Sequence, residues 1–196
     1  PIQKLLRTIP DALTSVVVVT CGEQGSKYAE EIWIDNNSVT WTPTTAAIAQ
    51  AFPEEVQSGI VQTKICTDWG LNPGSATALN AGIEVATPET THILCWSPEI
   101  DLTGHMLTEM IVHARANRLK LCGYLRNGWR KRWQWWFPQN TIALWDILTI
   151  RSVGGFDPSC NGDGVTCVHT PDFGDVPLAG MEDFHAYLRA SKQAGE

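Results

Sequence analysis

The sequence contains no run of about 18 or more apolar residues, so no membrane-spanning helix is expected. Its first residues, PIQKLLRTIPDAL, lack the long apolar core of a signal peptide, and a cytoplasmic protein is the expectation. Positive charge is also short. Fourteen Lys and Arg stand against 21 Asp and Glu, and a net charge of −7 argues against nucleic acid as a partner. Six cysteines, at 21, 66, 95, 122, 160 and 167, lie far apart, and several fall in apparent strands. That favours buried free thiols in a reducing compartment over a disulfide framework. Cys160 and Cys167 share a loop and could pair, but nothing requires it. Cys167 and His169 lack the paired spacing of a zinc site. There is no internal repeat and no low-complexity tract.

What is present is enough for one sizeable core. The 196 residues are too few for two ordinary domains, and 43% hydrophobic with 18% charged residues suits a globular protein. Residues 1–13 read as a short helix ended by Pro10. Ser15–Val19 is a β-branched run without alternation, as in a central parallel strand covered on both faces. Glu31–Ile34 reads as a second strand closed by Asp35-Asn-Asn-Ser38. A helix begins near Pro43, continues through Ala46 to Phe52, and is closed by Pro53. Ile60–Cys66 is a third strand. Ser75 is a good cap for a helix that puts Leu79, Ile83 and Ala86 on one face.

His92–Trp96 reads as a buried strand that breaks at Ser97-Pro98 and delivers Glu99 and Asp101 just past its end. Two acids there can hold a divalent cation, and a cation there can hold a phosphate. The plainer alternative is a polar turn in which Asp101 or Thr103 caps the next helix. That helix spans about Leu102 to Arg118, with Leu107, Met110, Ile111 and Ala114 as its apolar stripe. Strands follow at Lys120–Leu125 and Thr141–Trp145. Asp146 caps a short helix ending at Gly154-Gly155. Residues 156–178 read as one long loop, and length of that kind is usually functional or mobile. The last helix opens at Gly180-Met-Glu-Asp-Phe184, with Phe184, Tyr187 and Leu188 facing inward. Its acids, Glu182 and Asp183, fall in the first turn, where complementing the helix dipole is reason enough for them. Alternating strand and helix argues for one mostly parallel α/β sheet.

One segment breaks the composition. Arg126–Pro138, RNGWRKRWQWWFP, holds four of the 14 basic residues and four of the nine tryptophans. Three readings stand side by side: a basic, aromatic surface lying on a membrane or partner, an acceptor-binding wall, and a Trp packing layer whose charges face water.

In order, these pieces resemble the family-two-like glycosyltransferases with the GT-A fold. Ser15–Thr20 looks like their first nucleotide-binding strand, with Thr20 at its end. Glu31–Ser38 is similar to the strand whose terminal acid, here Asp35, contacts the base. Gly74-Ser-Ala-Thr-Ala-Leu-Asn80-Ala-Gly82 resembles their Gly-x-x-x-Ala-x-Asn-x-Gly helix. Ile93–Thr103 takes the place of the strand with the Asp-x-Asp metal motif. Ser152-Val-Gly-Gly-Phe-Asp157 resembles their Gly-Gly-Phe-Asp segment, and Gly180–Arg189 the motif with the catalytic base.

The resemblance implies a single GT-A-like, Rossmann-like domain with a mostly parallel central sheet flanked by helices. Residues 1–104 would be the nucleotide-binding half and 105–196 the acceptor half. It implies an inverting glycosyltransferase using a nucleotide sugar. Asp183 would be the base with Glu182 beside it, Thr20, Asp35 and Asn80 the nucleotide contacts, and Glu99 and Asp101 the ligands of Mg or Mn. Ser97-Pro98-Glu99 replaces Asp-x-Asp, however, and Leu79 stands where many members carry Arg. Arg130, Lys131 or Arg132 could neutralise the diphosphate instead, with Trp133 and Trp136 meeting acceptor or phosphate. The short stretch from Thr20 to Asp35 also permits a second frame, in which helix 1–13 precedes the first strand and Cys21-Gly22-Glu23 replaces the base-contacting acid. The competing function is a domain without its metal site that serves as a scaffold, docking a partner or membrane through 126–138.

Overall fold

The computed structural model describes residues 16–20, 44–66, 76–96, 102–123, 142–161, 167–170, 174–177 and 182–195. The expected helix 1–13 and strand 31–34 lie outside them. The first strand, β1 (Val16–Thr20), pairs in parallel with β2 (Val61–Ile65), Val16 opposite Val61 and Thr20 opposite Ile65. Two helices lie between them in sequence, α1 (Thr44–Ala51) and α2 (Pro53–Gln57). Pro53 therefore opens a second helix as well as closing the first. A missing N–H costs nothing in a first helical turn, so one proline does both.

Then come α3 (Ala76–Glu84), β3 (His92–Trp96), α4 (Gly104–Asn117), β4 (Leu121–Gly123), β5 (Ile142–Asp146) and α5 (Ile147–Ser152). A 3₁₀ turn at Pro158–Asn161, a hairpin of β6 (Cys167–Thr170) and β7 (Gly174–Pro177), and α6 (Glu182–Ala194) complete the described chain. The stretch read as a featureless loop thus contains a turn and a hairpin. Strands of four residues, CVHT and GDVP, are too short to show a period in sequence.

The sheets overturn the expected fold class. Among the described residues there is no large parallel sheet. One parallel pair, β1–β2, stands apart from an antiparallel sheet of order β3–β5–β4 and from the β6–β7 hairpin. The Rossmann-like assignment is therefore corrected to a mixed α/β arrangement of small sheets. The error has a physical source. Helix α4 does carry the chain from β3 to β4, but the return strand β5 inserts between them and runs opposite to both. Alternation of strand and helix cannot reveal the direction of that return. Continuous burial also misleads: Ile142, Ala143, Leu144 and Trp145 are all buried because β5 is central and covered on both faces, which does not require parallel neighbours.

The core follows from the two-residue period of that central strand. Ala143 and Trp145 face one cluster together with Ile83, Cys95, Ile147, Ile150, Phe156 and Phe184. Ile142 and Leu144 face the other, with Leu107, Met110 and Ala114 of the α4 stripe, and Val16 packs at its margin. The sheet is thus covered by α4 on one side and by α3, α5 and α6 on the other. Tyr187, expected to face inward, is 38% exposed, while Phe184 of the same helix is buried. No helix among the described residues is long and apolar enough to cross a membrane.

Helix α4 starts where a threonine can cap it. Thr103 Oγ1 accepts from Met106 N at 3.2 Å, and Arg118 closes the helix in the left-handed region at φ 52°. Thr103→Ala is expected to lower stability by about 1 kcal/mol. Urea unfolding checks this: the midpoint should fall with the slope unchanged.

Candidate functional site

Three of the motif segments meet on one side of the sheet. The first is α3, where Asn80 is held by two bonds to the backbone of Phe156. Its Nδ2 donates to Phe156 O at 2.7 Å, and its Oδ1 accepts from Phe156 N at 2.8 Å. The second is the segment Gly154–Asp157 that follows α5. Both glycines have positive φ, +81° and +79°, which a glycine adopts at little cost. Gly155 has a further constraint, since a Cβ there would stand 2.5 Å from Asn80 Oδ1. Only glycine lets the amide come that close. Phe156 is wholly buried and meets Trp145 edge-on, ring centroids 5.8 Å apart. Burial of such a side chain is worth roughly 1.5–3 kcal/mol.

The third segment is α6. Arg189 Nη1 lies 3.2 Å from Asp157 Oδ2, and its Nη2 donates to Gly155 O. Six residues before it, in the first turn, Asp183 is 5% exposed and accepts from Phe184 N through Oδ1 at 2.8 Å. His185, also buried, sets its ring edge-on to Phe184. Two further ties close the layer. Arg151 of α5 donates to Ala86 O just past α3, at 2.9 Å, and Ser152 Oγ bonds Gln193 of α6 at 3.1 Å.

Asp157 is partly exposed, yet held by Ser159 and Arg189. Burial pushes its carboxyl up. The hydroxyl and backbone N–H of Ser159, with the charges of Arg189 and His185, more than offset this and leave it below its ordinary value. A depressed folded value means stability that is fully present above the unfolded value, near 3.8, and that is lost as pH falls through the folded one. Asp157→Asn is therefore expected to be less stable than the parent at neutral pH and to show a flatter acid limb below about pH 4. Thermal unfolding across pH 2 to 7 checks it, and parallel acid limbs would count against the assignment.

Of the residues expected at the site, Asn80 and Asp183 lie among the described residues with their side chains. Thr20 ends β1 opposite Ile65, and Glu182 opens α6. Asp35, Glu99, Asp101, Arg130, Lys131, Arg132, Trp133 and Trp136 lie outside the described residues. Asn80 and Asp183 are linked through Gly155–Asp157 and Arg189. Among the described residues, no group of three or more His, Cys, Asp or Glu side chains could hold a metal ion. Sequence reasoning gave Asp157, His185 and Arg189 no role. A signal was available for two of them: an acid at the end of one motif and an arginine at the end of the next are natural partners.

Chemically, the layer offers one buried carboxylate at a helix start, where the dipole favours its charge, braced by a hydrogen-bonded strap. The chain was compared with known proteins: no family model matches it, and neither a curated protein nor a solved structure does.

Proposed function

We propose that this protein is a glycosyltransferase that moves a sugar from a nucleotide-sugar donor to an acceptor hydroxyl with inversion. What supports the reading is one observation. The helix of Asn80, the Gly-Gly-Phe-Asp segment and the helix of Asp183 and Arg189, three separate parts of the sequence resemblance, are hydrogen-bonded into one layer.

In this reading Asp183 takes the proton of the acceptor hydroxyl, and one aligned carboxylate is enough for inversion. Glu182 stands beside it. Thr20, Asp35 and Asn80 meet the nucleotide, Asn80 with the one amide hydrogen that Phe156 leaves it. Glu99 and Asp101 would hold a divalent cation, Mg or Mn, whose charge would stabilise the leaving diphosphate. Arg130 and Lys131 add positive charge there, and Trp133 and Trp136 form the acceptor wall. The protein works in the cytoplasm, with 126–138 as its point of contact with a membrane surface.

Calorimetry with UDP, GDP and dTDP, each with and without Mn²⁺, tests the proposal. Saturable binding of at least one nucleotide is expected, tighter with the cation. Silence with all of them overturns the proposal and favours the scaffold role.

A further inference from the structure

We infer that Asn80 and Arg189 form a two-sided clamp on Gly155–Asp157 that positions the first turn of α6, and with it Asp183. The inference rests on Asp183 being the base of the proposed transfer. Arg189 does not have to touch substrate and is a positioning residue; Asn80 adds its hold on the strap to its proposed contact with the nucleotide.

The argument starts from what a helix start needs. The first turn of a helix has no intrahelical partners for its N–H groups, so its orientation is set by side chains and packing. In α6 the packing is supplied by Phe184, and Asp183 Oδ1 accepts from Phe184 N. The helix is then fixed one and a half turns further on. There Arg189 presents two donors to two acceptors on the same strap, Asp157 Oδ2 and Gly155 O. A planar guanidinium with two such bonds fixes direction as well as distance.

The strap is itself fixed from the far side. Asn80 takes both backbone groups of Phe156, and Gly155 has no Cβ to hold the amide off. Arg189 and Asn80 thus grip adjacent residues from two different helices. A shift of the strap relative to α3 passes to α6 through the guanidinium. Base catalysis tolerates little of this, since a misplacement of about 1 Å can cost about 100-fold in rate.

Full-length Arg189→Met and Arg189→Lys test the clamp. Lysine keeps the charge and loses the two-pronged geometry, so it separates position from charge and also guards against a methionine variant that fails to fold. The first readout needs no substrate: amide hydrogen exchange of Phe184, with the Met106 amide at the start of α4, across the sheet, as internal reference. In both variants Phe184 exchange should rise about tenfold or more while Met106 stays unchanged. Unchanged Phe184 exchange overturns the clamp, and so does a rise shared equally by Met106, which would mean general loosening.

The second readout is steady-state turnover of a donor that the wild type uses, drawn from UDP-, GDP- and dTDP-linked hexoses. Arg189→Lys should lose about 100-fold in kcat with KM changed by less than about threefold. Unchanged kcat also overturns the clamp. Should the wild type turn over none of these donors, the sugar-transfer reading fails, while the exchange measurement still decides whether Arg189 holds the helix start.

Discussion

Asp183→Asn is expected to abolish sugar transfer while leaving the protein folded. The two effects separate because of how the side chain sits. Asp183 is buried, and its Oδ1 accepts from Phe184 N. An amide oxygen at the same position accepts that bond too, so the helix start keeps its support. An amide cannot take a proton from a hydroxyl, and losing a positioned base costs about 100- to 10,000-fold. The measurement is donor turnover beside circular dichroism and thermal unfolding. Glu182→Gln is the companion, since Glu182 precedes Asp183 at the start of α6. Full turnover in D183N with loss in E182Q moves the base to Glu182; full turnover in both removes the pair from the mechanism.

Gly155→Ala carries the largest expected effect on stability. Its φ is +79°, a region that costs an L residue roughly 1–2 kcal/mol. The new Cβ would also stand 2.5 Å from Asn80 Oδ1 and 3.2 Å from Asn80 Cγ. Overpacking of that kind adds roughly 1–3 kcal/mol. The amide cannot retreat without giving up its two bonds to Phe156, so relief in one place is loss in another. A total of about 3 kcal/mol or more is expected, read as a fall in the denaturant midpoint at constant slope. Gly154→Ala is the control. Its φ is +81°, but nothing lies within 4 Å of its Cβ position, so only the backbone part, roughly 1–2 kcal/mol, should appear. Equal losses in the two variants would mean that the contact with Asn80 has no energetic weight.

Local structure was largely legible in the sequence because local chemistry decides it. The β-branched run of β1 and the apolar strand from His92 to Trp96 sit where propensity puts them. Thr103 and Asp146 cap their helices as their side chains suggest, Asp146 Oδ1 accepting from Thr149 N at 2.8 Å. The stripe of Leu107, Met110 and Ala114 is buried as its spacing requires. The candidate site was legible only as separate motifs. Asn80 was marked in the sequence, yet its tie to Phe156 spans 76 positions, and no spacing rule reaches that far.

The sequence by itself therefore determined that segments such as β1, β3, α4 and α5 become strand or helix, where α4 and α5 start, and that the α4 stripe turns inward, because each depends on periods of two or 3.6 residues and on single side chains. Tertiary structure alone decided that β5 runs between β3 and β4 in the opposite direction, that β1–β2 and β3–β5–β4 form separate sheets among the described residues, and that Arg189 meets Asp157. Strand direction and long-range pairing are fixed by which apolar faces can cover one another once the chain has closed on itself. That competition among whole arrangements leaves no mark on any short stretch of residues.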